Sequence, residues 1–405
     1  MAEEVSPNRA QGWRSPVNAL MLMSVANYLS FATWNALHTN FAIDAIHFDG
    51  TEMGILHTVR EIPGFLSFAA VLFLIIMREQ TLGLVSLTVI GAGVAMTGLF
   101  PSPLGFYTTT LIKSLGFHYY ETVAQSLSLQ WFDKQNAPRL LGRVLSASAC
   151  ATIAAYGLIF LVWRWLGLGY VWLFAAGGMI SLVLTALIAV AFPRFKEEVP
   201  QRKQIVIRSR YWLYYALVFM GGARRQIFIV FAAFLMVQKF DYDVSSITLL
   251  LLINAAINMA LGPALGALIG RLGDRRSMIL EHVGLIVVFL AYALVENPWV
   301  AAGLYVLDNA FFAMSIAHKT YFQKIADPGD IAPTSGVALS INHIAAVLLP
   351  IPLGIVWDID SAAVFVIGAA MAGVALCLSL FVPHDPNAGN ETIFATRRLR
   401  AAAAE

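Results

Sequence analysis

Charge is what this sequence has least of. Only 12% of its 405 residues are Asp, Glu, Lys or Arg, against 59% hydrophobic, and the mean hydropathy is +0.72. A chain so poor in charge cannot cover a water-exposed surface, which excludes a soluble globular fold and implies a polytopic helical membrane protein. Cysteine is nearly absent: Cys150 and Cys377 both fall in apolar runs, with no disulfide framework and no metal-ligand spacing. The 13 methionines are scattered and trace no soft-metal path. No phosphate-binding loop, histidine box, serine–lysine or paired-aspartate arrangement is found. These absences argue against an ATP-driven pump and against an enzyme. No catalytic residue, cofactor, metal site or nucleic-acid partner is therefore expected. A cleavable signal peptide is missing too, because residues 1–17 are polar and the run that follows is too long for a signal core.

What is present is a series of twelve apolar runs of bilayer length: 17–43, 53–77, 82–100, 104–132, 142–163 and 168–192, then 211–237, 245–270, 277–296, 298–325, 333–357 and 361–382. They predict an all-α fold with an N-terminal tail (1–16), a six-helix bundle (17–192), a polar linker (193–210), a second six-helix bundle (211–382) and a basic tail (383–405). Of the 26 lysines and arginines, only Arg164 and Lys239 fall in loops on one side. That asymmetry places both termini in the cytoplasm, and the plasma (bacterial inner) membrane is the expected location. The halves also echo each other. Gly142-Arg143-Val144-Leu145-Ser146 recurs as Gly336-Val337-Ala338-Leu339-Ser340, a shift of 194, and the same shift carries Phe48-Asp49 to Tyr242-Asp243. An equal shift at two places indicates a duplicated unit, a known transporter plan.

The eighth run ends Gly270-Arg271-Leu272-Gly273-Asp274-Arg275-Arg276. This resembles the cytoplasmic loop signature of the major facilitator superfamily at Gly270, Leu272, Asp274 and Arg275. Ser277 and Met278 stand where the signature continues with glycine and basic residues, and the first-half counterpart at Met77-Arg78-Glu79-Gln80 lacks the pattern. The resemblance implies a monomeric secondary transporter working by alternating access on a small-molecule substrate. It also implies that spans 1, 4, 7 and 10 line the central cavity, and that Gly270, Asp274 and Arg275 form a gating loop.

Ionisable residues inside a membrane are costly and mark function or pairing. They are Arg60 and Glu61 on span 2, Lys113, His118 and Glu121 on span 4, Arg224 and Arg225 on span 7, and Asp308 and Lys319 on span 10. Glu281 and His282 are read as lying near the cytoplasmic end of span 9. On that count cations exceed acids, which motivates an anionic substrate held by Arg224, Arg225, Lys113 and Arg60, with Tyr120, Asn35 and Gln226 beside them. Glu121, Glu61, Asp308 and His118 are the candidates for proton coupling. Two readings stay open. One is a transporter of an organic or phosphorylated anion, moved with protons or by exchange for a counter-substrate. The other is a proton-coupled efflux pump for amphipathic compounds, in which the arginines are structural.

Overall fold

A computed structural model describes residues 4–5, 12–132, 137–195, 207–327 and 330–394. The remainder of the N-terminal tail, linker residues 196–206 and the tail from 395 onward lie outside the described residues. Among the described residues sixteen α-helices carry the fold. In the first half of the sequence they are α1 (Pro16–Asn40), α2 (Gly50–Phe65), α3 (Ala70–Phe73), α4 (Glu79–Thr97), α5 (Pro103–Trp131), α6 (Ala137–Leu161) and α7 (Tyr170–Ala191). The second half holds α8 (Trp212–Gln226), α9 (Ala233–Gln238), α10 (Val244–Leu272), α11 (Asp274–Leu294), α12 (Pro298–Ala313), α13 (Ile316–Ile325), α14 (Ile331–Leu348), α15 (Pro350–Ile359) and α16 (Ser361–Leu380). Among the described residues, nine stretches are long and apolar enough to cross a membrane. A parallel pairing of Glu4–Val5 with Arg194–Phe195 is a β element the sequence did not suggest.

The helix starts follow from local chemistry. Ser15, Ser102 and Asn297 each cap a helix whose first residue is proline, and Asp360 caps α16. A cap side chain satisfies a free N–H, while proline lacks the donor that would otherwise go unpaired there. The 194-residue shift recurs in two of the starts: Gly50 and Val244 are 194 residues apart. Four predicted spans are not continuous helices. Span 2 breaks after Phe65, just beyond Pro63-Gly64, and span 7 carries a π-helical segment at Ile227–Ala232. Span 10 breaks at Met314–Ser315, and span 11 breaks at Leu349, where Pro350 cannot donate to the preceding turn.

The chain forms two compact units. The first comprises Met1–Phe48, Val59–Arg202 and Tyr242–Ala255. Its framework is α4 against α5 and α7, with α1 laid across α4, α6 and α7. Glycines set the α4–α5 distance: a Cβ on Gly93 would lie 2.6 Å from the Lys113 backbone nitrogen, and Gly116 is equally close to Ile90.

The second unit comprises Asp49–Thr58, Lys203–Asp241 and Ala256–Glu405. Here α8 packs on α14 and α16, and α11 on α12, α13 and α16. The first turns of α2 belong to this unit and lie against α15. Gly50 and Thr51 donate their backbone N–H groups to Asp358 at 2.6 and 2.9 Å, and the Thr51 hydroxyl adds a third bond of 2.6 Å. Gly54 sits directly on the Pro350 carbonyl, and Gly354 on the carbonyl of Gly50.

At another corner of this unit Arg208 grips the Asp330 carboxylate with Nε and Nη2, and the Tyr211 hydroxyl donates to it at 3.0 Å. The Arg208 hydrogen bonds hold the Asp330 carboxyl below its ordinary range. A depressed carboxyl pKa contributes stability that is present above the unfolded value, about 3.9, and is lost as pH falls through the folded value. Thermal unfolding should therefore show a constant gap between wild type and Asp330→Ala from pH 7 down to about pH 4, closing only below it. A gap that narrows between pH 7 and pH 5 would contradict the clamp.

Candidate functional site

Each unit buries its own polar cluster. In the first, Lys113 is 1% exposed in the middle of α5, and its Nζ stands 3.6 Å from the centre of the Trp34 ring and 5.6 Å from that of Phe31. Trp34 is held by His38, stacked at 4.2 Å. Arg60 donates through Nε and Nη2 to Glu61 Oε1, at 3.0 and 2.5 Å, and its guanidinium lies 5.9 Å from the Trp34 ring. The Arg60 carbonyl accepts from the Ser114 hydroxyl, which fixes α2 against α5 one residue from Lys113. Arg60, Glu61 and Lys113 are thus brought together. Among the described residues no carboxylate or hydrogen-bond acceptor reaches the Lys113 ammonium at bonding distance; the aromatic faces are its partners. Ring quadrupoles attract a cation but do not neutralise it.

One turn on along α5, a His118 ring nitrogen lies within 4.8 Å of a Glu61 carboxylate oxygen, while the remaining candidates have other partners. Tyr120 shares a 2.9 Å hydrogen bond with Ser24, and Glu121 accepts from Asn27 Nδ2 at 3.0 Å. Among the described residues no cation pairs with Glu121. Asn35 donates to the Tyr156 hydroxyl at 3.0 Å, and the His118 ring meets Phe117 edge-on at 5.2 Å. Lys113 and Glu121 are eight residues apart on one helix, about 12 Å along its axis, so they form no pair.

In the second unit Arg224 is 2% exposed and its Nη2 donates to Glu281 Oε1 at 2.6 Å. This corrects the sequence reading. Glu281 is fully buried in the second turn of α11, and Lys319, counted among the buried cations, is exposed. With Glu281 added and Lys319 removed, the buried acids Glu61, Glu121, Asp308 and Glu281 match Arg60, Lys113, Arg224 and Arg225 in number. The surplus of positive charge disappears, and what remains is the local isolation of Lys113.

Gly222 explains how Arg224 is positioned. A Cβ there would lie 2.7 Å from the Asn342 carbonyl oxygen, so α8 and α14 meet backbone to backbone. Arg225 points elsewhere and is half-buried. Gln226 is 0% exposed, and among the described residues neither its Oε1 nor its Nε2 has a hydrogen-bond partner. The same holds for Asp308 Oδ2 and the Tyr292 hydroxyl. Buried polar groups without partners are costly unless water or a ligand serves them. Gln226 also stands at the start of the π-helical segment, a distortion frequent at functional sites.

The sequence profile of the Major Facilitator Superfamily matches residues 20–350. The chain belongs to this superfamily. No curated protein matches it in sequence. Among solved structures it is similar to the nucleoside transporter NupG (16% identity, 90% of this chain and 98% of that one, TM-score 0.72). It is also similar to a bacterial homolog of the human lysosomal transporter Spinster in an inward-facing, occupied conformation (14%, 94% and 96%, 0.68). An auto-inhibited POT family peptide transporter is comparable (14%, 90% and 96%, 0.68). At these identities the likeness is one of fold.

As a Major Facilitator Superfamily member the protein is an integral membrane transporter of the secondary type, not an enzyme. The loop that carried the family resemblance has a definite structure. Gly273 takes a positive φ of 79° and turns the chain into α11. Asp274, 2% exposed, accepts from the Thr320 hydroxyl at 2.5 Å and from Lys324 Nζ at 2.7 Å, both on α13. Gly270 has open space at its Cβ position, and Arg275 is half-buried beside Asp274 in the first turn of α11. Sequence reasoning passed over Trp34, one aromatic among many, and His318, whose neighbour Lys319 drew the attention.

Proposed function

We propose that this transporter moves a small organic or phosphorylated anion across the plasma membrane of a bacterium, coupled to protons or by exchange. Alternating access would operate between bundles 17–192 and 211–382 of a monomer with both termini in the cytoplasm. The observation that carries the anionic substrate is Lys113: among the described residues its buried ammonium has aromatic partners and no carboxylate at bonding distance, since the nearby Glu61 is bonded to Arg60, and a bound anion would balance its charge. Arg60, beside it, adds a second donor. Glu121, bonded to a neutral amide and to no cation, is the group best placed to carry a proton. Glu61, Asp308 and His118 are the alternates, while Gly270, Asp274 and Arg275 would latch one conformation.

Lys113→Met tests this. Replacing a buried charge by an apolar side chain of similar length is commonly neutral or stabilising. The variant should therefore fold with wild-type or higher thermal stability while its affinity for the transported anion falls about 30-fold or more, the ~2 kcal/mol or more lost when a buried charge partner is truncated. Binding of an anion panel by the purified protein, with transport in proteoliposomes, reads both. Undiminished anion binding in a stable Lys113→Met variant would remove the anionic reading.

The Arg224–Glu281 pair favours the second reading, a proton-coupled efflux pump for amphipathic compounds with structural arginines. Phe31 stacked on Phe117 at 4.6 Å supplies an aromatic surface for such a substrate. Transport of lipophilic cations in preference to anions would select it.

A further inference from the structure

Grouped with Glu281 of the Arg224–Glu281 pair are two histidines, His282 and His318, that neither transport reading uses. A carboxylate oxygen of Glu281 and one ring nitrogen each of His282 and His318 lie within 4.8 Å of one another. All three residues are buried, with exposures of 0%, 1% and 7%. Two atoms of these residues that could ligate have no hydrogen-bond partner among the described residues: Glu281 Oε2 and His318 Nε2. We infer that Glu281, His282 and His318 form a site for a divalent transition-metal ion of the zinc or cobalt type.

Three observations carry the inference. The first is the donor set: two imidazoles and one carboxylate, with the spare carboxylate oxygen and the His318 Nε2 both unsatisfied in a dry interior, is a ligand combination that zinc accepts with a fourth position open.

The second is the tautomer of His282. Its Nδ1 lies 3.1 Å from Ser379 Oγ, and that hydroxyl gives its single proton to the Ala375 carbonyl at 2.8 Å. Ser379 therefore accepts, His282 carries its proton on Nδ1, and Nε2 keeps a lone pair. Orientation of a ligating imidazole by a hydrogen bond at its other nitrogen is the usual outer support of a metal site.

The third is the binding mode left to Glu281. Arg224 occupies Oε1 and holds the carboxylate in place, while Oε2 is free to ligate. The two histidine rings are 5.8 Å apart and tilted by 38°. Ligand–metal bonds of about 2.0–2.2 Å require the donor atoms to close to roughly 3.3 Å, a shift that side-chain rotation on α11 and α13 can supply. Arg224 opposes a second cation nearby, so the open position is one for hydroxide or another anion rather than neutral water.

The probe is Co2+, whose visible spectrum reports nitrogen and oxygen ligation, with Zn2+ as competitor, on the full-length purified protein after tag removal. Wild type should bind one equivalent with displacement by Zn2+, and Zn2+ should raise its unfolding temperature. His318→Phe, which keeps a ring but no donor, and His282→Gln should each weaken Co2+ binding by at least about tenfold. X-ray absorption on the Zn2+-loaded wild type should show two imidazole ligands, a measurement that does not depend on how well the variants fold. Absence of Co2+ binding overturns the inference. So does binding that both variants retain, which would place the ion on exposed histidines such as His47 and His384, and so does a spectrum with fewer than two imidazoles.

Discussion

Arg224→Gln is expected to cost about 3–5 kcal/mol of stability, because it leaves the Glu281 carboxylate buried with no counter-charge. The pair is almost wholly excluded from solvent, so water cannot take the place of the lost guanidinium. Glu281→Gln should be comparably damaging, since it strands the arginine instead. The double variant should recover part of the loss, because it leaves no buried charge without a counter-charge. Folded yield and thermal unfolding in detergent, measured for both single variants and the double, complete the cycle. Additive losses would mean that the two residues stabilise the fold independently. By contrast, Arg225→Gln should leave stability nearly unchanged, as its side chain is only half-buried.

Gly54→Leu is the second substitution with a large expected effect. Any side chain at this position collides with the Pro350 backbone, which cannot rotate away as a side chain would. Overpacking of this kind costs about 1–3 kcal/mol, and all of it falls on the contact between the first turns of α2 and α15. Since about 1.4 kcal/mol is a tenfold change in an equilibrium, the ratio of docked to undocked turns should drop by about 5- to 150-fold if undocking relieves the clash. The three hydrogen bonds from Gly50 and Thr51 to Asp358 would be lost with it. A cysteine placed at Thr51 and probed with a membrane-impermeant thiol reagent should label faster in the Gly54→Leu background. Equal labelling in both backgrounds would show that the close approach does not control this side of the protein.

Much of the fold could be read from the sequence, for a physical reason. Bilayer thickness imposes a length on each helix, and the 194-residue shift appears again in the helix starts at Gly50 and Val244. The site was legible in part. Arg224 and Lys113 stand out because charge inside an apolar run is rare. Their partners were not, because a partner is defined across helices. Glu281 looked terminal when judged by its distance from the end of an apolar run, yet α11 begins at Asp274, so Glu281 lies about 10 Å along the helix. His282 and His318 are brought together only by the packing of α11 on α13, which no spacing in the chain announces. The helix breaks at Met314 and in the π-helical stretch likewise have no proline or glycine to signal them.

The π-helical stretch Ile227–Ala232 gives one helix two faces that would otherwise exclude each other. A π turn holds a residue more than an α turn, so the helix on one side of it is out of phase with the other by about 100°. Upstream, that phase points Arg224 at Glu281 and Gly222 at Asn342. At its end and beyond it, Phe231 and Phe234 meet Trp357, each at 5.4 Å. The extra residue works as a spacer written into the winding of the helix rather than into its length. Removing it would keep every other side chain and still aim the arginine at the wrong neighbour.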